Sequence, residues 1–258
     1  MPNASATRRR LTRTYYESLK VLCPGLRNSQ FAYVEALQEV VRPGVRWLDL
    51  GCGHQLFPDW MPDALSNQLA LVNRCAEAVG VDAADFRPHS VGLTKVAADI
   101  EQLPFADETF SLVTANMVVE HVRKPERLLR EIRRVLTPGG LFLFHTPNAR
   151  YFEVAIGRHI AGPVMRGIAS FLDGRGGDDI FPTYYRLNKA YDIRRFATES
   201  GLATRFIRHI ECTAQGVMLG PLVVLELLVI RTLRLPIFEN YRSDLLVMLE
   251  KPENGTVR

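Results

Sequence analysis

The sequence has few cysteines, and their spacing excludes two classes of protein. Its 258 residues include four cysteines, with no CxxC pair and no histidine-rich ligand spacing. This pattern excludes a zinc ribbon or finger and a dense disulfide framework. We therefore expect a cytoplasmic protein in a reduced compartment, with no metal requirement. The cysteines are Cys23, Cys52, Cys75 and Cys212.

The sequence also lacks long uninterrupted apolar runs. The N-terminal region carries three arginines, residues 8–10, in place of the apolar core of a secretory signal peptide. The most apolar stretch, residues 217–235, contains Glu226, Arg231 and Arg234, which argues against a membrane-spanning helix. The net charge of +4 is not accompanied by a nucleic-acid recognition motif, so we expect no nucleic-acid partner.

The central part of the chain alternates short apolar runs with amphipathic runs, which predicts a parallel sheet with helices on both faces. We expect an α/β, Rossmann-like, doubly wound, mostly parallel seven-stranded sheet with its ligand crevice at the carboxyl ends of the strands. Asp49, Asp82, Asp99 and His145 fall at or near such ends. Strands are predicted at residues 45–50, 79–82, 95–99, 111–115, 141–145, 205–211 and 245–250. Helices are predicted at residues 64–78, from Pro125 to a stop at residues 138–140, and at residues 192–200.

The alternation stops after residue 148. Residues 149–189 are rich in glycine, proline and aromatics, which indicates a cap inserted after the fifth strand. We expect a single domain over residues 1–258. Within it, the cofactor-binding core spans about 40–148, the cap about 149–190 and an apolar helix about 217–235.

A glycine turn, residues 51–53, follows the first predicted strand. Small residues there let the backbone approach a ligand closely and direct free N–H groups toward it. Asp82, at the tip of the second strand, carries a carboxylate able to accept both hydroxyls of a ribose. These two features together predict a nucleoside ligand.

A nicotinamide dehydrogenase is the main competing interpretation of this turn. Its fingerprint needs a glycine three positions after Gly53, where this chain has Leu56, and the next predicted helix begins only after residues 54–62. A pyrophosphate would lose the helix N-terminus that binds it, whereas S-adenosylmethionine has no phosphate. The sequence therefore argues against a dinucleotide and leaves the kind of nucleoside open.

Five segments resemble, in order, the motifs of class I S-adenosylmethionine-dependent methyltransferases of the methyltransferase type 11 kind. They are residues 47–53, 79–82, 98–105, 116–122 and 136–140. The resemblance implies that Asp49, Gly51 and Gly53 line the methionine side of the cofactor and that Asp82 holds the ribose. It also implies that Asp99 and Ile100 flank the adenine and that Asn116 meets the amino-acid moiety.

Residues 144–148 are similar to the corresponding strand end of quinone-biosynthesis O-methyltransferases. The sequence departs from the wider family at Gln55, where a third glycine is common, so the contacts of His54 and Gln55 are not carried over.

The chemistry follows from the cofactor, because a sulfonium makes its methyl group electrophilic and the protein mainly orients the acceptor. An oxygen or nitrogen nucleophile also needs a base, for which His121 and His145 are the candidates by topology. Tyr184 and Arg186 are candidates for binding the acceptor, since they lie in the aromatic-rich segment. The aromatic residues of that segment equally suit a small core of the cap itself.

Residues 219–235 predict an amphipathic helix with Glu226, Arg231 and Arg234 in one polar sector. Such a helix packs on the domain or on another protein chain, or it docks at the inner membrane surface. We expect a methyltransferase acting on a small-molecule or lipid-linked acceptor, by O-methylation, with peripheral membrane contact left open. C- or N-methylation, and a catalytically silent cofactor-binding subunit recruited through this helix, remain the alternatives.

Overall fold

A computed structural model describes residues 4–83, 87–157, 182–214 and 222–253. Within these ranges, none of the helices combines the length and apolar character needed to cross a membrane. The helices are α1 (Ala4–Leu22), α2 (Ser29–Val40), α3 (Ala64–Val72), α4 (Pro125–Val135), α5 (Phe152–Gly157), α6 (Ala190–Glu199) and α7 (Leu222–Leu233), with 3₁₀ turns at Val119–His121 and Pro236–Tyr241. The strands are β1 (Arg46–Leu50), β2 (Glu77–Asp82), β3 (Thr94–Ala97), β4 (Phe110–Asn116), β5 (Leu136–Pro147), β6 (Ala203–Ile210) and β7 (Asp244–Glu250).

The seven strands form one sheet in the order β3-β2-β1-β4-β5-β7-β6. The pairings from β3 through β5 are all parallel. Lys251, directly after the end of β7, exchanges backbone hydrogen bonds with Gly139 and Gly140, near the beginning of β5. Strand β7 therefore runs antiparallel to β5. The predicted α/β fold class is confirmed. The strand order reverses between β1 and β4, and the carboxyl ends of these two strands are where such sheets bind ligands.

The chain divides into two compact units. The first unit comprises residues 1–31, 147–182 and 209–244, and the second comprises residues 32–146, 183–208 and 245–258. The predicted single-domain organisation stays a prediction. Residues 158–181, most of the predicted cap, lie outside the described residues, as do residues 217–221, the beginning of the predicted apolar helix.

The second unit contains the main apolar core. Alternate residues of a strand face opposite sides of a sheet. On one face, Leu48, Leu50, Val113 and Phe144 pack in a cluster with the apolar stripe of α4 and with residues of α6. The intervening positions therefore face the other side, where Asp49, Thr114 and His145 lie. The same alternation that builds the core also sets these polar residues on one face.

The sequence analysis predicts none of α1, α2 and α5, and three further elements depart clearly from their predicted bounds. Helix α3 ends at Val72 rather than at residue 78, because Glu77 already pairs with Arg46 in the sheet. Strand β3 ends at Ala97, so Asp99 lies beyond its end. Residues 138–140 do not separate α4 from β5. They form an irregularity within β5, which begins at residue 136 and shifts register against β4 there.

Candidate functional site

The glycine turn is fastened to the end of β2. The N–H groups of Gly51 and Cys52 both donate to the carbonyl of Val81, at 2.7 and 3.2 Å. Gly51 has a φ of +65°, and a Cβ there would lie 2.4 Å from Cγ2 of Val118. Both the backbone conformation and the close approach of the post-β4 loop therefore require glycine at this position.

Asp82 and the glycine turn meet at the tips of β1 and β2. The N–H of Gly53 donates to Oδ2 of Asp82 at 2.9 Å, and the Lys95 ammonium donates to the carbonyl of Gly53 at 2.6 Å. A Cβ at Gly80 would lie 2.5 Å from Sγ of Cys52, so the turn packs directly on β2. The structure thus brings together the predicted ribose acid and the predicted methionine-side turn.

Asp49 is a buried carboxyl group at the end of β1. It accepts a hydrogen bond from the hydroxyl of Thr114, which itself accepts the indole N–H of Trp47 at 2.7 Å. Burial raises the pKa of Asp49 to about 7, the charge of Asp82 adds to the rise, and the Thr114 hydrogen bond opposes it. A cation bound beside Asp49 would favour its ionised form.

The predicted adenine-flanking residues lie just beyond β3. Asp99 is exposed and its Oδ1 accepts the N–H of Glu101 at 2.8 Å, which is a turn-forming role. Ile100 is half-buried against the core. Arg134 holds the segment that follows, donating to the carbonyls of Leu103 and Phe105 at 3.0 and 2.7 Å. The contacts of Asp99 and Ile100 with adenine stay a prediction.

Asn116 and His145 lie opposite each other in the β4–β5 register. Nδ1 of His145 is 2.9 Å from Oδ1 of Asn116. The imidazole is fully buried and stacks on Tyr33, with ring centroids 6.0 Å apart. These contacts give His145 a structural role, whereas its role as a base stays a prediction.

His121 lies on the 3₁₀ turn after β4, and about a third of its side chain (33%) is exposed. Its Nε2 is 4.0 Å from Oε1 of Glu120, a buried acid that the sequence reasoning missed. Oε2 of Glu120 accepts the hydroxyl of Thr146 at 3.0 Å, and that hydroxyl accepts the side-chain amide of Asn188 at 2.7 Å. Burial raises the pKa of Glu120. The signal available in the sequence was an acid directly preceding the candidate base.

The segment with Tyr184 and Arg186 lies against the same loop. The N–H groups of Tyr184 and Tyr185 donate to the carbonyl of Glu120, at 2.8 and 3.1 Å. The Arg186 guanidinium donates to the carbonyl of Arg123 at 3.1 Å. Both predicted acceptor residues are exposed. The structure therefore places the two acceptor candidates and the candidate base His121 beside one loop.

The residues around the glycine turn suit S-adenosylmethionine. The buried carboxyl of Asp49 suits its positively charged end, the carboxylate of Asp82 suits a ribose, and Ile100 offers an apolar contact for adenine. Helix α3 begins only at Ala64, well after the turn. Residues 54–63, which directly follow the turn, therefore provide no helix N-terminus to bind a pyrophosphate. Among the described residues, no group of three or more His, Cys, Asp or Glu could hold a metal ion.

Comparison with known sequences gives one family and several relatives. Residues 48–144 match the family model described as a methyltransferase domain. A malonyl-acyl-carrier-protein O-methyltransferase of Methylococcus capsulatus is 35% identical over 104 residues, which cover 40% of this chain and 38% of that protein. A ubiquinone biosynthesis O-methyltransferase of Cereibacter sphaeroides is 35% identical over 127 residues, covering 44% and 46%. The chain thus spans less than half the length of these curated relatives.

Solved structures agree with the fold. An S-adenosylmethionine-dependent methyltransferase from Mesorhizobium loti superposes with a TM-score of 0.53 at 21% identity, over 86% of this chain and 97% of that one. At this identity the similarity concerns the fold. It extends well beyond residues 48–144, the part matched by the family model.

Proposed function

We propose that this chain, whose residues 48–144 match the family model described as a methyltransferase domain, transfers a methyl group from S-adenosylmethionine to an oxygen atom. We further propose that the acceptor is a small or lipid-linked molecule with an acidic hydroxyl, such as a phenol or hydroquinone. Support for this acceptor class comes from the relative named for ubiquinone biosynthesis and from the exposed tyrosine and arginine beside the candidate base.

The observation that carries the proposal is the contact of His121 with Glu120 next to residues 184–186. A histidine 4.0 Å from a buried carboxyl group, yet partly exposed itself, is suited to take a proton from an acceptor that enters from solvent. Glu120 has its other oxygen held by Thr146 and its backbone carbonyl held by Tyr184 and Tyr185. Its carboxyl group is therefore fixed in position.

S-adenosylmethionine, when bound, supplies an electrophilic methyl group. Asp49, Gly51 and Gly53 hold its methionine end and Asp82 holds its ribose. His121 accepts the hydroxyl proton of the acceptor on its imidazole ring. The buried Glu120 carboxylate then stabilises the resulting imidazolium, because opposite charges attract strongly where water is excluded. Tyr184 and Arg186 contact the acceptor and orient it.

The test is labelled methyl transfer from S-adenosylmethionine to quinone and lipid extracts. We expect His121→Ala to lower the rate by about 10²- to 10⁴-fold, the usual contribution of a general base. Glu120→Gln should lower it less and shift the pH profile. His209→Ala, a histidine on β6, is the matched control and should behave as the wild type. Calorimetry should show unchanged cofactor binding in the His121 variant.

An undiminished rate in His121→Ala would overturn the assignment of the base. Chemical cleavage of the product distinguishes methylation on oxygen from methylation on carbon, since hydriodic acid removes a methyl group from oxygen but not from carbon. A chain that binds the cofactor and transfers to no fraction of the extracts would be a silent cofactor-binding subunit. A chain that does not bind S-adenosylmethionine at all would refute the proposed function as a whole.

A further inference from the structure

Helix α7 in the first unit is apolar on two sides. Val223, Leu227 and Ile230 are buried in a cluster with Tyr15 and Cys23 of the α1 region. On the outward side, Leu225 is 60% exposed, Leu228 43% and Val229 39%. These three residues are spaced as neighbours on one helix face. An amphipathic surface helix normally exposes its polar side, so this outward apolar face calls for an explanation.

The charges of the helix region do not cover that face. Arg234 turns toward the protein, where its guanidinium donates to the carbonyl of Pro24 at 3.0 Å and lies 3.4 Å from Glu211. Arg242 approaches the same carboxylate at 3.2 Å. Glu211 thus holds the guanidinium groups of Arg234 and Arg242 against the protein. The sequence predicted one polar sector opposite the apolar face, whereas the structure uses part of that sector for internal ion pairs.

Helix α1, which packs beside α7 in the first unit, adds further apolar and basic side chains. Tyr16 is 55% exposed and Val21 is 74% exposed. Arg13 and Lys20 are also exposed on α1. Arg231 is exposed on α7 itself. Apolar side chains mixed with lysine and arginine are typical of surfaces that lie at a membrane interface.

The net positive charge of the protein lies in this first unit. Its described residues include ten Lys and Arg and six Asp and Glu, whereas those of the second unit include eighteen of each kind. The excess of positive charge among the described residues therefore lies wholly in the unit that bears the outward apolar face. Such an excess attracts an anionic lipid surface and opposes the approach of a second, equally charged copy.

We propose that the first unit docks on an anionic membrane surface through α7 and α1. Leu225, Leu228 and Val229 enter the boundary between headgroups and acyl chains, and Lys20 and Arg231 contact lipid phosphates. The proposal concerns a binding surface and does not depend on methyl transfer. It would place the protein where lipid-linked molecules are found.

The test is co-sedimentation of the full chain with vesicles of phosphatidylglycerol and phosphatidylcholine, against vesicles of phosphatidylcholine alone. We expect binding to the anionic vesicles that weakens as salt is added. The variant Leu225→Ser/Leu228→Ser should lower the partition constant at least about tenfold, since it removes two apolar side chains from the interface. Leu65→Ser/Leu69→Ser is the matched control, because these two α3 leucines of the second unit are 55% and 39% exposed.

A second variant, Lys20→Glu/Arg231→Glu, leaves the apolar residues in place and should weaken binding to anionic vesicles about tenfold or more. Circular dichroism melting establishes that each variant folds. Equal binding by wild type and the α7 variant, or no binding of the wild type to any vesicle, would overturn the proposal. It would also be overturned if light scattering showed a dimer that the α7 variant dissociates, which would make this face an interface between copies.

Discussion

The hydroxyl of Thr114 donates to Oδ1 of Asp49 across the parallel pairing of β1 and β4, at 2.5 Å. Both side chains are buried. The hydroxyl also accepts the indole N–H of Trp47, so its one proton is directed to the carboxyl group. This arrangement fixes Asp49 at the point where the strand order reverses. It does not offset the cost of burial, and the pKa of Asp49 stays raised to about 7.

The raised pKa of Asp49 predicts a pH-dependent stability. The carboxyl group ionises near its ordinary pKa of 3.8 in the unfolded chain and near 7 in the folded protein. The folded state therefore binds the proton more tightly, and stability is lost as the pH rises from about 4 to about 7. We expect Asp49→Asn to remove this part of the pH dependence. The measurement is urea denaturation of both cofactor-free proteins between pH 5 and pH 8, and parallel curves would refute the assignment.

The position of Asp82 predicts a large loss of cofactor affinity on mutation. Asp82→Ala removes the carboxylate that we assign to the ribose and also frees the N–H of Gly53. The Kd for S-adenosylmethionine should rise about 10- to 100-fold, the effect of losing charge-assisted hydrogen bonds. Calorimetry measures the Kd. Asp192→Ala, which removes a half-buried carboxylate from α6, is the control and should leave the Kd unchanged.

Alanine substitutions at Gly51 and Gly44 separate the cost of a positive φ from the cost of a steric clash. Both have positive φ values, +65° and +85°, but only at Gly51 would a Cβ collide with Val118. We expect Gly51→Ala to lower the free energy of unfolding by about 1–3 kcal/mol more than Gly44→Ala does. Gly51→Ala should also weaken cofactor binding, and Gly44→Ala should not. Equal destabilisation by the two variants would show that the approach of Val118 is readily relieved.

Arg134 links α4 to the segment that follows the predicted adenine-binding residues. It donates to Glu131 and Asp107 as well as to two backbone carbonyls, whereas Arg130, on the same helix, donates to the carbonyl of Glu126. Arg134→Met should lower the free energy of unfolding by about 1–2 kcal/mol, since it leaves carbonyls at least partly buried without their donor. Arg130→Met should change it by less than about 0.5 kcal/mol. Thermal denaturation of the two variants checks this difference.

Sequence patterns located the elements well where local and tertiary preferences agree. The apolar stripe of α4 and the start of that helix at Pro125 were predicted and are observed. Helix α3 was predicted to run to residue 78, because its sequence continues to favour a helix. The helix ends earlier because Glu77 pairs with Arg46 in the sheet. A local pattern contains no information about a strand partner that lies 31 residues away.

The sequence by itself determined the order of the seven strands and placed Asp49 and Asp82 at the ends of two of them, because alternation and turn residues act over short distances. Tertiary structure alone decided which of these groups meet. It enclosed His145 between Asn116 and Tyr33 and set Glu120 beside His121. It also turned Arg234 inward and left Leu225 outside. These outcomes depend on burial and on hydrogen-bond partners from distant parts of the chain, and only the folded sheet and helices supply both.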